Sequence, residues 1–296
     1  MRNTGPIAVR KLHPLFGAEI SGIDITRPLS AREFGPIRAA FEEHSVLLFR
    51  DQRISDDVQV AYSRAFGPLE LSKVGSLGYG SFYGVLRNFD ADGNIVPDDH
   101  KEALRARANQ LWHTDSSFKR APALASVLSA RTIPNRGGET QFTSTRLAWE
   151  RLPPARQATL KDLAVWHSYA TSRDQISPKL MSPAERDALP PVDWRMTWRN
   201  PVNGRTSLYI ASHAGAIQGM GDNEAKALLS ELIEDATREE YTYLHTWRPG
   251  DVVMWDNRAT MHRGRPWPGD QIRHMVRTTI SATDKDGVPH VLPMAA

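Results

Sequence analysis

From Ala123 to Ser281 the chain keeps returning to one pattern, and that pattern limits its fold more than anything else in it. Short apolar and β-branched runs recur between turn residues: ALASVLSARTI (123–133), ETQFTS (139–144), TSLYIA (206–211), YTYLHTW (241–247), DVVMWD (251–256) and RHMVRTTIS (273–281). Runs of this kind, bounded by Gly, Pro, Asn and Asp, read as strands. Many short strands after a mixed α/β start predict a mainly β, α+β chain: a β-sandwich or barrel with helical additions.

The first third supplies the mixed start. GAEISGIDI (17–25) and SVLLFR (45–50) read as strands, the second a buried one. Ser30 is placed to cap a helix over 31–44, and Ser55 to begin one that FGPLE ends near Phe66. A helical pattern over 145–163 is broken at Pro153 and Pro154, and another helix fits 222–236. Residues 69–110 are rich in Gly and Asp and read as loops with short strands. Residues 171–195 hold four prolines and many polar residues; with strands on either side, they read as an insertion or lid. No composition shift or repeat divides the chain, so 1–296 is expected to be a single domain.

Composition narrows the chemistry. The net charge is +3, with the basic residues scattered, so neither a nucleic-acid patch nor a membrane-surface stretch is indicated. There is no cysteine, which removes disulfides, thiolate metal sites and cysteine nucleophiles together and suits a cytoplasmic protein. The first residues lack the apolar region of a secretory signal, and no uncharged apolar run is long enough to span a bilayer. Nucleophile-elbow, P-loop and HExxH motifs are missing, and GYGSF (78–82) is not a dinucleotide fingerprint.

What remains is LWHTDSSF (111–118). In an extended segment, residues two apart share a face, so His113 and Asp115 can offer an imidazole nitrogen and a carboxylate oxygen to one point. His262, just past DVVMWD, is the candidate third ligand. Two histidines and one carboxylate with open positions left over suit a non-haem ferrous site; the same three ligands plus water would also suit catalytic zinc. Arg273 and Arg277 follow, four apart, on one face of a strand and roughly 13 Å from each other at about 3.3 Å per residue. Two buried cations need anions. These could be acidic neighbours, or two ligand carboxylates that the guanidinium fork grips bidentately.

At this point the sequence resembles the taurine/2,4-dichlorophenoxyacetate dioxygenases, which use Fe(II), 2-oxoglutarate and O2. The resemblance runs through GAEISGIDI, SVLLFRDQ, FGPLE, NQLWHTDSSF, GGETQF, DVVMWDNRATMHRG and the two terminal arginines, 11 and 15 residues past His262. It implies a double-stranded β-helix (jelly-roll, cupin-like) core with His113, Asp115 and His262 on the iron. It implies further that Thr140 and Arg273 hold the far carboxylate of 2-oxoglutarate and that Arg277 holds the substrate's acid group. Asn109, Lys73 and His213 resemble pocket-lining positions, and Trp255 would pack beside the iron site. LWHTDSSF, ASHAG (211–215) and VMWDNRATMHRG look most like the 2,4-dichlorophenoxyacetate branch. That branch implies a small anionic substrate such as an aryloxyacetate, a sulfonate or alkyl sulfate being the alternative, and a homo-oligomeric enzyme. RGRPWPGDQIR (263–273) departs from the expected pattern just before the arginine strand.

Overall fold

A computed structural model describes residues 6–72 and 77–291. Its largest sheet has seven strands in the order Ala8–Lys11, Ala18–Ser21, Val46–Phe49, Val252–Asp256, Ala123–Thr132, His274–Ser281 and Gly84–Arg87. All neighbours are antiparallel except Ala18–Ser21 beside Val46–Phe49. A second sheet of three strands, Thr242–His245, Thr140–Ser144 and Thr260–Gly264, faces it. The two sheets form the jelly-roll core. Three further strands (Ala214–Ile217, Ala164–His167, Val192–Arg195) and the pair Thr197–Arg199 and Thr206–Leu208 lie outside it.

The period of two along a strand explains why the central strands are apolar throughout. Val46, Leu48, Val253 and Trp255 point between the sheets and meet Leu128, Phe142 and Met275. Leu47, Phe49, Val252 and Met254 point the other way, onto Phe41, Tyr62 and Phe66. Those residues come from or just after the helices Ala31–His44 and Asp56–Arg64, which cover the outer face of the large sheet. The Ser30 backbone N–H donates to Glu33 Oε2 at 2.8 Å, and Ser55 Oγ accepts from Val58 N at 3.3 Å. Both helices therefore begin where the cap residues place them. Pro153 and Pro154 divide their segment into Thr145–Arg151 and Pro154–Leu160. With the helix Asp222–Ala236 these pack a separate apolar cluster around Trp149, Val165 and Leu229.

Two segments contain helices that their sequence reading did not give. Within 69–110, the strand Gly84–Arg87 forms an edge of the large sheet, and the run KEALRARA forms a helix, Lys101–Ala108. The Asp- and Gly-rich composition around that run hides a short but good helix former. Within 171–195, Pro183 opens a helix, Pro183–Ala188, at a position where its missing N–H costs nothing. Ser182 and Glu185 cap it reciprocally. The prolines there start structure rather than interrupt it. No helix among the described residues is long and apolar enough to cross a membrane.

Candidate active site

The site lies at one end of the space between the two sheets. His262 sits on the strand Thr260–Gly264, opposite Phe142 in register. His113 approaches this strand and forms a two-way backbone bridge with His262, N to O 2.9 Å and 2.8 Å. The bridge brings the two imidazole rings to a centroid separation of 4.1 Å. The chain then turns at Ser116, whose φ is 53°, and Asp115 swings its carboxylate back between the histidines. One donor atom from each of His113, Asp115 and His262 lies within 4.8 Å of the others, and all three residues are buried.

The ligand set is tuned by its neighbours. His113 Nδ1 is 2.8 Å from the carbonyl of Leu111. That contact fixes the ring's proton on Nδ1 and leaves the Nε2 lone pair facing Asp115, 3.9 Å away. His262 Nε2 lies 3.7 Å from Asp115 Oδ2, and its Nδ1 is buried without a partner. Burial holds both histidines below the ordinary imidazole range, so they are neutral donors. Burial pushes Asp115 the other way, but Arg277, the two histidines and Ser126 outweigh it and keep the carboxylate ionised. Ser126 Oγ donates to Asp115 Oδ2 at 2.7 Å and accepts from Asn257 Nδ2 at 3.0 Å. Asn257 Oδ1 accepts from the Asp115 backbone at 3.1 Å and from Trp255 Nε1 at 3.0 Å. Two neutral imidazoles and one oriented carboxylate, with no thiolate, fit a divalent first-row metal with open positions.

Arg277, on the strand His274–Ser281, and Arg273, the residue just before it, both line this pocket, as their spacing predicts. Their surroundings differ sharply. Arg273 is buried, and its hydrogen-bonding partner is the carbonyl of Gly138, at 3.3 Å from Nε and 3.2 Å from Nη2. Trp267 lies under the guanidinium, 5.1 Å from ring centroid to Cζ. Among the described residues no carboxylate is hydrogen-bonded to it, and burial pushes its pKa down to about 10. Thr140 lines the same pocket; its Oγ1 accepts from Trp247 Nε1 at 3.0 Å. Arg277 instead donates from Nη1 to Asp115 Oδ1 at 2.5 Å. The arginine expected at the substrate's acid group is thus engaged by the ligand carboxylate in this structure.

The segment that departs from the expected pattern belongs to this pole. Gly137 has a φ of +73°, and a Cβ there would sit 2.5 Å from the carbonyl of Pro266. The close fit of 137–138 against 266–267 is what holds the Gly138 carbonyl beside Arg273.

Of the other predicted residues, Asn109 ends the helix Lys101–Ala108 and lines the pocket. His213 lines it too, with its ring 4.8 Å from that of Phe118 and 6.3 Å from that of His113. Trp255 packs 4.6 Å from the His262 ring. Lys73 lies outside the described residues. Sequence reasoning missed Ser126, Asn257 and Arg173. Asn257 stands inside the WDNR run, and Ser126 shares the inward register of Leu128, so both left a signal. Arg173 stands in a polar and proline-rich stretch that gives no sign of it; it is buried in the pocket wall.

Comparison with known proteins agrees with this geometry. Residues 8–279 match the family described as "Taurine catabolism dioxygenase TauD, TfdA family". The chain is 39% identical over 278 residues to the alpha-ketoglutarate-dependent 2,4-dichlorophenoxyacetate dioxygenase of Cupriavidus pinatubonensis, covering 92% of this chain and 97% of that one. It is 31% identical to the (S)-phenoxypropionate/alpha-ketoglutarate-dioxygenase of Sphingobium herbicidovorans, over 92% of this chain and 94% of that one. The crystal structure of AAD-2 in complex with Mn(II) and N-oxalylglycine superposes with a TM-score of 0.88 at 37% identity, covering 97% of this chain and all of that one. A metal-ligand triad between two jelly-roll sheets, with that sequence and structural likeness along nearly its whole length, makes this chain a member of the TauD/TfdA dioxygenase family.

Proposed function

We propose that the protein hydroxylates a small aryloxyacetate-type acid, using iron(II), 2-oxoglutarate and O2. The observation that carries this reading is the pairing of a two-histidine, one-carboxylate cluster with a buried arginine, Arg273, that has no acid hydrogen-bonded to it among the described residues. A metal site and a buried cation in one pocket call for a ligand that binds metal at one end and carries an anion at the other. 2-Oxoglutarate has that form.

In the bound state, iron(II) would activate O2, the oxidant, so that one oxygen atom goes to succinate as 2-oxoglutarate loses CO2 and the other enters a substrate C–H bond. The protein's part is positioning. His113, through Nε2, would hold the metal, with Asp115 and His262 completing the set. Arg273 and Thr140 would hold the far carboxylate. The hydrogen bond from Trp247 leaves the Thr140 hydroxyl proton free to donate to it. Ser126 and Asn257 would keep the Asp115 carboxylate from rotating. Asn109, His213 and Lys73 remain pocket candidates for the substrate. Segments 69–110 and 171–195 would cover the pocket and exclude water; residues from the first, together with the helix Tyr169–Asp174 at the edge of the second, already line its walls. For an aryloxyacetate, oxygen insertion beside the ether oxygen gives a hemiacetal that collapses to a phenol and glyoxylate. A homo-oligomeric assembly belongs to the same reading.

The test is a comparison of phenoxyacetate, taurine and an alkyl sulfate with the iron-loaded enzyme, 2-oxoglutarate and O2. Phenol formed in step with succinate supports the proposal. Sulfite from taurine, or sulfate from the ester, without phenol would move the substrate to the sulfur-acid class and leave the metal chemistry in place.

A further inference from the structure

The run RGRPWPGDQIR (263–273) departs from the expected pattern, and its Trp267 has no role in the account above. Trp267 lines the pocket together with Arg273 and Thr140. Its ring centroid lies 5.1 Å from Cζ of the Arg273 guanidinium. Several contacts hold it there. Trp267 Nε1 donates to the carbonyl of Gln271 at 3.2 Å. The same carbonyl accepts from Asn88 Nδ2 at 2.9 Å, and Asn88 Oδ1 accepts from the Arg273 backbone N–H at 2.8 Å. From the other side, the Gly138 N–H donates to the carbonyl of Pro266 at 3.1 Å, and the Asn135 N–H donates to Gln271 Oε1 at 2.7 Å. A Cβ at Gly137 would fall 2.9 Å from Trp267 Cα, so the two segments close up only around a glycine. Pro266 and Pro268, on either side of Trp267, narrow the backbone conformations open to it.

Arg273 is thus fixed by two neighbours. Its Nε and Nη2 share the Gly138 carbonyl, which leaves Nη1 and the second Nη2 proton for an anion. The indole ring occupies the space over the guanidinium. At the other end of the pocket, Asp115 and His113 are themselves hydrogen-bonded in place. A cation that cannot shift, facing metal-ligand atoms that cannot shift, sets one span for an acid that bridges them. We propose that Trp267 is a positioning residue that sets the chain length of the 2-oxo diacid, by holding Arg273 against the Gly138 carbonyl. The span is that of a five-carbon diacid, and one more methylene drives the guanidinium into the indole. The inference rests on the proposed function, since it takes Arg273 as the holder of the far carboxylate.

The test is equilibrium binding of 2-oxoglutarate, and of 2-oxoadipate, which is one methylene longer, to protein loaded with Mn(II) so that no turnover occurs. The parent protein is expected to favour 2-oxoglutarate by about 10- to 200-fold, the size of a one-methylene discrimination. Trp267→Leu keeps an apolar side chain and opens the space that the indole fills. It is expected to weaken 2-oxoglutarate by about 2- to 30-fold, the range of a cation–π contact, and to shrink the preference by at least ~10-fold. Trp267→Phe, which keeps an aromatic face, is expected to hold the preference within about threefold of the parent's. Chemical denaturation without ligand checks that each variant is folded; Trp267→Met carries the same expectation if the leucine variant is not. A smaller change in preference, including equal weakening of both acids, would overturn the inference and leave the proposed function standing. So would a parent protein that binds the two acids equally well. A parent protein that binds neither acid would overturn the proposed function along with it.

Discussion

Replacing Arg273 with methionine separates two effects that an ordinary binding-site mutation mixes. Arg273 is buried, and its pKa is pushed from 12.5 down to about 10 by that burial. At about 1.4 kcal/mol per tenfold change, holding the charge there costs the ligand-free fold roughly 3 kcal/mol. The sign follows from linkage. A cation with a depressed folded pKa destabilises the fold at neutral pH, and that penalty fades only as pH climbs through about 10 towards 12.5. Methionine removes the charge and also removes the hydrogen bonds to the Gly138 carbonyl, a loss of about 1–3 kcal/mol. Ligand-free Arg273→Met is therefore expected to be as stable as the parent protein or up to about 2 kcal/mol more stable. In the presence of Mn(II), 2-oxoglutarate at a hundred times its dissociation constant should stabilise the parent by about 2.7 kcal/mol and the variant hardly at all. Chemical denaturation with and without 2-oxoglutarate measures both numbers. A ligand-free variant more than about 2 kcal/mol less stable than the parent, or one that 2-oxoglutarate stabilises equally, would refute the reading of Arg273 as an anion site.

Three further predictions follow from the same geometry. Ser126→Ala removes the hydroxyl that fixes Asp115 Oδ2 and should weaken metal binding about 10- to 100-fold, read by competition with a chelator. Gly138→Ala puts a Cβ 3.2 Å from Arg273 Nε at a φ of +72°; the backbone alone costs about 1–2 kcal/mol, and displacement of the guanidinium should raise the KM for 2-oxoglutarate more than that for substrate. Glu185 joins Lys101 and Arg105 of one pocket segment to a helix of the other. Burial raises its pKa, but a Ser182 backbone hydrogen bond and Lys101 outweigh this and hold it at about 2, below the ordinary 4.5. The tie should thus be complete above pH 4.5 and be lost as pH falls towards 2, and Glu185→Gln should speed limited proteolysis between 175 and 190 at neutral pH.

Local signals carried much of the fold. Ser30 and Ser55 start their helices, two prolines split 145–163, and the inward register of Arg273 and Arg277 follows from alternation along one strand. The candidate metal-ligand cluster was legible because His113, Asp115 and His262 are chemically distinctive residues within motif runs. The partners of those residues were harder to see. That Arg277 meets Asp115, 162 positions away, depends on how a turn at Ser116 aims one carboxylate, and no periodicity records that. Arg173 was invisible for a related reason. Its burial is imposed by the walls around it, and its own neighbours in sequence are polar. Helix Lys101–Ala108 was lost in the Asp- and Gly-rich stretch that precedes it.

The central claim is that the His113–Asp115–His262 cluster supports oxidation coupled to 2-oxoglutarate and not metal hydrolysis. The most direct test is to strip the protein of metal, restore Fe(II) or Zn(II) separately, and measure O2 uptake, succinate and phenol with phenoxyacetate present. The account predicts that Fe(II) alone restores activity, with succinate and phenol formed one for one and none of either without O2. Phenol release with Zn(II), or succinate absent although Fe(II) is bound, would contradict it.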